Sequence, residues 1–526
     1  MKAVSIFNHV LGPVMRGPSS SHTAGGFHLG RMARSLVGGT PRRAALAFDP
    51  GGSYARTFDV QGGDRAFAMG LMGRALTDES FFTALTDAPA DGLDLAFAVR
   101  PLERPGHPNT VEMLLEGPDG QRLSLTARSI GGGEVEITWL DGWPVLFNGT
   151  AFEVLVEAPA DRADAVALAL SSDKALLGQP RVLRRDDGDR AAVVARRLTA
   201  LDAALRARVA AIAPNVVVLE SAPVYFVQTG ETLFSSAADI VRLARERQVS
   251  LGRLALEYES ILLGLPEAAI LDEMLRRWDV MEASVRRGLE PGFGGMQLLA
   301  PTAGAIFRAE ADGRLSARGL HTKAAARSMA VMHVDAAMGV VCAAPTGGSA
   351  GTIPGAMVTL AEERGLSREQ VALSMLAAGA IGVVVAQRAT FAAEVAGCQV
   401  EIGASGAMAA AAIIDAVGGS AADACHAAAI GFQNTMGLVC DPVQGMVEIP
   451  CHTRNAVAAS SAFVVADLVL GGYVNPIPLD ETIDAVYAVG RAMSADLLCT
   501  ARGGLAVTPS ALALRGGCCG KGCADC

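Results

Sequence analysis

The feature that most constrains the fold is the abundance of small apolar residues in the later half of the chain. The longest charge-free stretch, VALSMLAAGAIGVVVAQ at 371–387, consists mainly of Ala, Gly and Val. Hydrophobic residues make up 51% of the sequence but aromatic residues only 5%, a composition that favours closely packed helices over an aromatic-rich β-sandwich. Because a helix needs about 20 apolar residues to cross a bilayer, this shorter stretch predicts a buried core helix.

The charge balance argues against several classes of partner. The sequence has 44 Lys and Arg against 54 Asp and Glu, a net charge of −10, and contains no basic run. We therefore expect no binding to nucleic acid or to anionic membranes. Pro13 and Arg16 interrupt the short apolar run near the start, so the sequence predicts no signal peptide and a cytoplasmic location.

Length and patterning predict several domains, since 526 residues exceed the size of one hydrophobic core. Short alternating segments and Gly-rich turns, such as RAALAFD and VQGGD, predict an α+β N-terminal domain at 1–149. In 150–228 the pattern is strand, helix, strand, the long helix RAAVVARRLTALDAALRARVAAI and a final strand. This order predicts a small ferredoxin-like α/β middle module, which is either regulatory or a spacer.

The remainder of the chain is helical in pattern. From FSSAADIVRLARERQ onward the periodicity predicts an all-α C-terminal domain at 229–510, with Ser235 or Ser236 as the first N-cap. A Cys-rich tail follows at 511–526 and contains four of the ten cysteines. Chain termini are normally poorly ordered, so oxidisable thiols there suggest that something binds them.

Cysteines in a cytoplasmic protein point to metal ligation or redox chemistry rather than to disulfides. Cys440 is followed by an Asp-Pro dipeptide, and since proline cannot continue the preceding helix, we expect this thiol on a loop. Cys451 follows a proline and opens an apolar helical run, a position where the helix dipole favours a thiolate. With Cys398, these thiols are candidate ligands of an iron–sulfur cluster.

Spacing alone leaves two interpretations open for these three cysteines. They lack the tight Cys-x-x-Cys spacing of ferredoxins and zinc ribbons, and free cysteine also packs as a small hydrophobe. Cys342 and Cys425 lie inside apolar stretches, which favours simple packing for both. Three core ligands on a four-iron cluster would leave one iron free to act as a Lewis acid.

Several stretches are distinctive when taken together. They are GPSSSHT (17–23), GSYARTF (52–58), HPNTV (107–111), SIGGGEV (129–135), APTGGSAGTIPGA (344–356), EVAGCQVEIG (394–403), GLVCDPVQGMVEIPCHTRNA (437–456) and RGGLAVTP (502–509). In these stretches the chain resembles the iron–sulfur-dependent L-serine dehydratases, or L-serine ammonia-lyases, in their fused single-chain form. The resemblance covers nearly the whole chain and is weakest in the middle module.

The resemblance implies that Cys398, Cys440 and Cys451 hold a [4Fe–4S] cluster, and that the chain converts L-serine to pyruvate and ammonia without pyridoxal phosphate. It also implies a substrate-binding-like, beta-type domain at the N-terminus, an ACT-like middle module and an alpha-type catalytic domain. In bacterial relatives a C-terminal cysteine binds the fourth iron until substrate displaces it, which predicts this role for Cys526. The additional thiols of Cys518, Cys519 and Cys523 can assist cluster loading, replace Cys526 or bind another metal. The alternative is a disordered tail whose cysteines have no function.

Two departures from the family pattern concern the base and the substrate. The family has a Gly-His-Gly-Thr-Asp stretch whose His is a favoured acid/base group, and here VQGGD puts Gln61 at that position. Glutamine cannot carry a proton near neutral pH. The family's Asn in APTNG is Gly347 here, and a cysteine usual slightly later is Ser349. Either another residue supplies the base or the substrate is not L-serine.

Elimination of water from a β-hydroxy amino acid needs one base for the Cα proton and groups that hold the carboxylate. Histidine has the ordinary pKa best suited to the base, although a lone histidine is more often a polar contact. The candidates are His22, His107 and His452. Candidate substrate-binding residues, which can equally cap helices or form an internal ion pair, are Ser19, Ser20, Ser21, Thr23, Arg454 and Asn455.

The sequence leaves three functions to be distinguished. The first is dehydration of L-serine, and the second is a related iron–sulfur lyase acting on L-threonine, L-cysteine or another β-hydroxy acid. The third is an amino-acid sensor in which the cysteines bind structural zinc, without catalysis. For the enzyme we expect a small-molecule amino-acid substrate and a homodimer.

Overall fold

A computed structural model describes residues 3–185, 188–213 and 215–514. Within these residues the chain forms two compact units, each assembled from separate stretches. Unit 1 comprises the described parts of Met1–His9, Ser20–Leu233 and Glu257–Ile270. Unit 2 comprises the described parts of Val10–Ser19, Phe234–Leu256 and Leu271–Cys526.

The strands are short and lie mostly in the first part of the chain. They are β1 (Val14–Arg16), β2 (Arg43–Phe48), β3 (Asp94–Val99), β4 (Thr110–Glu116), β5 (Arg122–Gly131), β6 (Glu134–Leu140), β7 (Trp143–Phe147), β8 (Phe152–Pro159), β9 (Leu176–Arg184), β10 (Arg190–Arg197), β11 (Val217–Ser221) and β12 (Val340–Cys342).

The helices become longer toward the later half. They are α1 (Gly25–Leu36), α2 (Tyr54–Thr57), α3 (Gly63–Met72), α4 (Ala84–Asp87), α5 (Ala163–Ser171), α6 (Ala203–Ile212), α7 (Ala237–Arg247), α8 (Leu251–Leu263), α9 (Glu267–Leu289), α10 (Ala303–Ala311), α11 (Leu320–Ala336), α12 (Thr352–Arg364), α13 (Arg368–Arg388), α14 (Ala393–Ala396), α15 (Ile402–Ala416), α16 (Ala421–Gln433), α17 (Cys451–Leu470), α18 (Leu479–Arg491) and α19 (Pro509–Ala513).

Unit 1 contains a six-stranded sheet of order β3-β2-β4-β5-β6-β7, so the predicted mixture of helices and strands in the N-terminal part is confirmed. Only β2 and β3 run parallel in this sheet, and the other neighbours are antiparallel. Helices α1 and α3 pack against each other, and α1 also contacts β5 and β6. Phe48 and Phe67 are fully buried and form part of an aromatic core with Tyr54.

Unit 1 also contains a four-stranded antiparallel sheet of order β11-β8-β10-β9. Along the chain its elements follow the sequence β8, α5, β9, β10, α6, β11. A separate hydrophobic core fills it, with Val154, Val156 and Val193 fully buried between strands and helices. These residues therefore form a β-α-β-β-α-β arrangement with a core of its own.

The predicted long helix at 190–212 is wrong in its first half. Residues Arg190–Arg197 form strand β10, which is hydrogen-bonded to β8 on one side and to β9 on the other. A central strand buried on both faces shows a continuous apolar run instead of alternation, and the β-branched Val193 and Val194 favour a strand. The helix begins only after Asp202, whose side chain accepts a hydrogen bond from the Leu205 N–H at 2.7 Å.

Unit 2 is largely helical, as the patterning predicts. Its first helix, α7, is capped by Ser236, whose hydroxyl accepts a hydrogen bond from the Asp239 N–H. Helix α15 is buried over nearly its whole length and packs against α12, α13, α16 and α17. The expected all-α character of 229–510 has one exception, because β12 pairs antiparallel with β1. A three-residue strand of this kind carries no periodicity that a sequence could reveal.

Two helices, Arg368–Arg388 and Cys451–Leu470, are long and apolar enough to cross a membrane by length and composition alone. In the most apolar part of α13, 78% of the residues are buried inside the protein. In the most apolar part of α17, 50% of the residues are buried. Burial against other helices is the property of a core helix, and both helices pack against α15.

Small residues allow several of these helices to touch at the backbone. An added Cβ at Gly288, near the end of α9, would overlap the carbonyl oxygen of Ala330 in α11. We predict that Gly288→Ala lowers the free energy of unfolding by about 2 kcal/mol, because backbone atoms cannot move aside as a side chain can. Gly294→Ala is the control, since no heavy atom lies within 4 Å of that position. Equal stability of the two variants in urea unfolding would contradict this packing.

Candidate metal centre

The cysteine of the EVAGCQVEIG stretch is placed by a close approach of two loops. Gly397 has a φ of 78°, and an added Cβ there would lie 2.7 Å from the carbonyl oxygen of Leu438. The same carbonyl accepts a hydrogen bond from the Gln399 N–H at 3.1 Å, and the Gln399 side chain accepts one from the Gly437 N–H at 3.0 Å. This glycine therefore lets the Cys398 loop lie directly against the segment that leads to Cys440.

Cys398, Glu401 and Cys440 form a compact group of possible metal ligands. Their ligand atoms all lie within 4.8 Å of one another, and the Cys398 Sγ is 3.9 Å from Glu401 Oε2. Cys440 lies on a loop, as predicted, and is 4% exposed, while Cys398 is 2% exposed. These side chains are thus shielded from water in a way that would make any unbalanced charge costly.

A hydrogen bond between the Cys440 and Cys398 thiols gives these two cysteines different pKa values. The pKa of Cys398 is lowered by a hydrogen bond from the Cys440 thiol and by the nearby Arg454 guanidinium, despite burial. The pKa of Cys440 is raised well above its ordinary value, because it is the donor to Cys398 and also to Cys499. Burial and the neighbouring Cys398 raise the pKa of Glu401. Cys398 is therefore the thiol of this pair that ionises first.

Cys451 is the first residue of α17, as predicted from the proline before it. It is 8% exposed and contacts Met332 and Val447. Burial raises its pKa well above the ordinary value, and the neighbouring Cys398 adds to this effect. The three cysteines singled out in the sequence are therefore all buried in unit 2 and lie close enough to interact electrostatically.

A fourth thiol, Cys499, belongs to the same group and was missed by the sequence analysis. It packs on the hydrophobic cluster that contains Cys398 and Cys440. The stretch DLLCTARGG around it has no cysteine spacing or helix signal that points to a metal site. Only the tertiary structure places it beside Cys440.

Arg454 provides the positive charge nearest to these thiols. Its guanidinium forms an ion pair with Asp441 at 2.9 Å and donates to the Val439 carbonyl oxygen, also at 2.9 Å. Asp441 in turn accepts a hydrogen bond from the Leu505 N–H at 2.8 Å. An added Cβ at Gly504 would lie 2.6 Å from the Asp441 Cβ, so the RGGL segment needs glycine there. The structure shows the internal ion pair considered for Arg454, and its role in binding a substrate carboxylate stays a prediction.

Asn455, one residue later, connects α17 to the APTGGSAGT segment. Its amide nitrogen donates to the Gly348 and Cys451 carbonyl oxygens at 2.8 and 2.9 Å, and its amide oxygen accepts from the Thr352 hydroxyl at 2.9 Å. An added Cβ at Gly348 would lie 3.5 Å from a Glu401 carboxylate oxygen. This segment, which includes the departure at Gly347, thus lies against the thiol group.

His452, the second residue of α17, is fully buried. Its ring centroid is 5.2 Å from that of His333. Burial lowers the pKa of His452 to about 3, and the neighbouring His333 adds to this effect. The imidazole is therefore neutral at physiological pH. The Glu448 carboxylate, one turn earlier, accepts hydrogen bonds from the N–H groups of Gln297, Leu298 and Leu299 and fixes that segment.

The other two histidine candidates lie in unit 1. His22 lies in the five-residue turn Ser20–Ala24, together with the candidates Ser20, Ser21 and Thr23, all of them buried. Its Nε2 is 2.7 Å from the Thr57 hydroxyl, and that hydroxyl donates to the Ser53 carbonyl oxygen. The His22 Nε2 therefore carries the proton in this pair. Ser19 belongs to unit 2.

His107 lies in the turn before β4 and is partly exposed. Its Nδ1 accepts a hydrogen bond from the Asn109 N–H at 3.1 Å. Burial, followed by the charge of Arg128, lowers its pKa to about 4. Gln61, also in unit 1, is buried with 1% exposure. The tail cysteines Cys518, Cys519, Cys523 and Cys526 lie outside the residues that the structure describes.

A cavity of about 500 Å³ adjoins the thiol group within unit 2. It is lined by Ile402, which follows Glu401, by Leu438 and by Thr453 and Arg454. The volume is sufficient for a small polar molecule. Arg454 thus contacts the thiol loops on one side and the cavity on the other.

Burial of His22 predicts a measurable pH dependence of stability. Burial lowers its pKa to about 3, whereas the unfolded chain binds the proton near 6.5. The stabilisation is complete above pH 6.5 and is lost as pH falls, because only the unfolded state then gains a proton. Between pH 6.5 and roughly pH 5, we expect the free energy of unfolding of His22→Gln to fall by about 1–2 kcal/mol less than that of the unsubstituted protein. Urea unfolding at both pH values measures this difference, and His321→Gln, at an exposed histidine, is the control. The same pH dependence of unfolding in His22→Gln and in the unsubstituted protein would contradict the prediction.

Comparison with known proteins places the chain in a family. A family model described as "Serine dehydratase alpha chain" matches residues 191–506, more than half of the chain. The probable L-serine dehydratase alpha chain of Bacillus subtilis (strain 168) is 38% identical over 281 residues, which cover 53% of this chain and 93% of that protein. The probable L-serine dehydratase beta chain from the same organism is 40% identical over 190 residues, which cover 36% of this chain and 84% of that protein. The L-serine dehydratase of Streptomyces coelicolor is 37% identical over 286 residues, which cover 52% of this chain and 61% of that protein. The chain belongs to the serine dehydratase alpha chain family.

Proposed function

We propose that this protein is an iron–sulfur-dependent L-serine ammonia-lyase, which converts L-serine to pyruvate and ammonia by β-elimination of water. The observation that carries the proposal is the buried group of thiols at Cys398, Cys440 and Cys451, in a chain of the serine dehydratase family. Relatives of both the alpha and the beta type match this single chain, which supports the fused arrangement.

The donor set fits an iron–sulfur cluster. Thiolates are the usual ligands of such clusters, and the hydrogen-bonded Cys398 and Cys440 thiols have a partner positive charge in Arg454. Cys398, Cys440 and Cys451 would hold a [4Fe–4S] cluster, which would supply a Lewis acid for the loss of the β-hydroxyl. Each thiol must release its proton on ligation, and Cys398, the most acidic of the three, is the one prepared to do so.

The chain's own residues then bind and orient the substrate. The cavity beside Arg454 offers the route to the thiol group, and Arg454 supplies positive charge for an amino-acid carboxylate while Asp441 holds its guanidinium in place. The Ser19, Ser20, Ser21 and Thr23 hydroxyls and Asn455 remain proposed substrate contacts. Cys526 remains the proposed ligand that substrate displaces.

The base is proposed to be one of His22, His107 and His452. Each is neutral near pH 7, since burial lowers the pKa of all three to about 3 or 4. A neutral imidazole can accept the Cα proton, and an anionic substrate close to it would raise its basicity. Gln61 cannot take this role. The departures at Gln61 and Gly347 support a second candidate, a related lyase acting on L-threonine, L-cysteine or another β-hydroxy acid.

The remaining assignments concern architecture and context. The middle module at 150–228 is proposed to be ACT-like, supported by its β-α-β-β-α-β order. The region 1–149 is the beta-type domain, 229–510 the catalytic domain and 511–526 the tail. The protein is proposed to act as a cytoplasmic homodimer.

The ligand assignment predicts the effect of removing each thiol. We expect Cys398→Ala, Cys440→Ala and Cys451→Ala, purified without oxygen, each to lose most of the bound iron and sulfide and all pyruvate formation from L-serine, because three ligands hold the cluster. Cys425→Ala is the matched control. Its thiol is equally buried, in a separate cavity, and burial raises its pKa to about 12.

The metal content of the unsubstituted protein decides between the candidates. Iron and sulfide with pyruvate formation support the first function, and the same cofactor with turnover of another hydroxy acid supports the second. Zinc without sulfide and without turnover would contradict both and support a structural metal in a sensor protein.

A further inference from the structure

Cys499 is held against Cys440 by the main chain on both sides. The Cys440 N–H donates to the Leu497 carbonyl oxygen and the Cys499 N–H donates to the Cys440 carbonyl oxygen, both at 2.9 Å. These bonds form an isolated parallel bridge between Cys440 and Leu498. The position of Cys499 is thus fixed by the same loop that carries a proposed cluster ligand.

The side chain of Cys499 faces the other thiols. It packs on the hydrophobic cluster that contains Cys398 and Cys440, and its thiol accepts a hydrogen bond from the Cys440 thiol. It also interacts electrostatically with Cys398 and Cys451. The Cys499 thiol thus lies among the groups that surround Cys398 and Cys440.

Cys342 and Cys425 are examples of cysteines with a packing role alone. Both are buried, and neither is among the residues of the hydrophobic cluster that contains Cys398 and Cys440. Cys499 differs in exposure as well as in contacts, because its side chain is only partly buried. A partly exposed thiol beside two buried thiols is placed to bind a metal that they hold, and to be reached from outside.

We propose that Cys499 is an alternative ligand of the fourth iron, supplied by the folded unit itself, which binds that iron when Cys526 and the other tail thiols are disengaged and no substrate is bound. The proposal rests on the proposed cluster and adds a residue to its ligand set. Ligation exchanges the thiol proton, released to solvent, for one iron–sulfur bond, and needs no oxidant or reductant. A cluster held in this way keeps all its irons when the tail thiols are disengaged.

The test uses the full-length chain with the tail thiols removed by the substitutions Cys518→Ser, Cys519→Ser, Cys523→Ser and Cys526→Ser. This protein and the same protein carrying Cys499→Ala are loaded with iron-57 and purified without oxygen or substrate. Mössbauer spectroscopy then reports whether one iron differs from the others, and a chelator reports how fast iron is lost. Cys425→Ala in the same background is the control.

The proposal predicts equivalent irons in the tail-substituted protein and in its Cys425→Ala control. Addition of Cys499→Ala produces one distinct iron and raises the rate of iron loss by about 10-fold or more, since loss of an outer-shell partner alone already weakens metal binding by about that factor. A carboxylate variant, Cys499→Asp, keeps a ligand and restores slow iron loss with a shifted iron signal. Equal thermal unfolding of the iron-free proteins shows that folding is not the cause.

Two results would overturn the inference. If Cys499→Ala leaves both the spectrum and the rate of iron loss at the control values, Cys499 does not bind the cluster although the cluster exists. If the unsubstituted protein binds no iron–sulfur cluster at all, the proposed function fails and the inference fails with it.

Discussion

The structure around the thiol group depends on the balance of charge between the cysteines and Arg454. Burying thiolates without a partner is costly, and Arg454 is the cation that acts directly on Cys398. Asp441 fixes this guanidinium and at the same time accepts the Leu505 N–H, so the RGGL segment, the Cys440 loop and helix α17 meet at one ion pair. Stretches far apart in sequence are thereby joined at the site.

Glycine and asparagine complete this assembly by allowing backbone segments to touch. Gly397 lets the Cys398 loop approach the Leu438 carbonyl, and Asn455 ties α17 to the segment that begins APTGG. Each of these residues acts on the backbone that carries a thiol rather than on the thiol itself. Small-residue packing of the helices around α15 gives this site a rigid base.

Much of the site could be predicted from the sequence where a local rule applied. Proline before Cys451 predicted the start of α17. A serine cap was predicted at Ser235 or Ser236, because serine competes well for free N–H groups, and the structure shows it at Ser236. Strand β10 was missed because a central strand lacks alternation, so Val193 and its neighbours were mistaken for a helix. Cys499 was missed because its partner, Cys440, is brought to it only by tertiary structure.

The central claim is that the thiol group carries a cluster that binds substrate directly. The most direct measurement is Mössbauer spectroscopy of iron-57-labelled protein, purified without oxygen, before and after addition of L-serine. The account predicts a [4Fe–4S] signal in which one iron changes on addition of L-serine, because that iron would act as the Lewis acid of the elimination. A cluster signal that L-serine leaves unchanged, or no cluster signal, would contradict it.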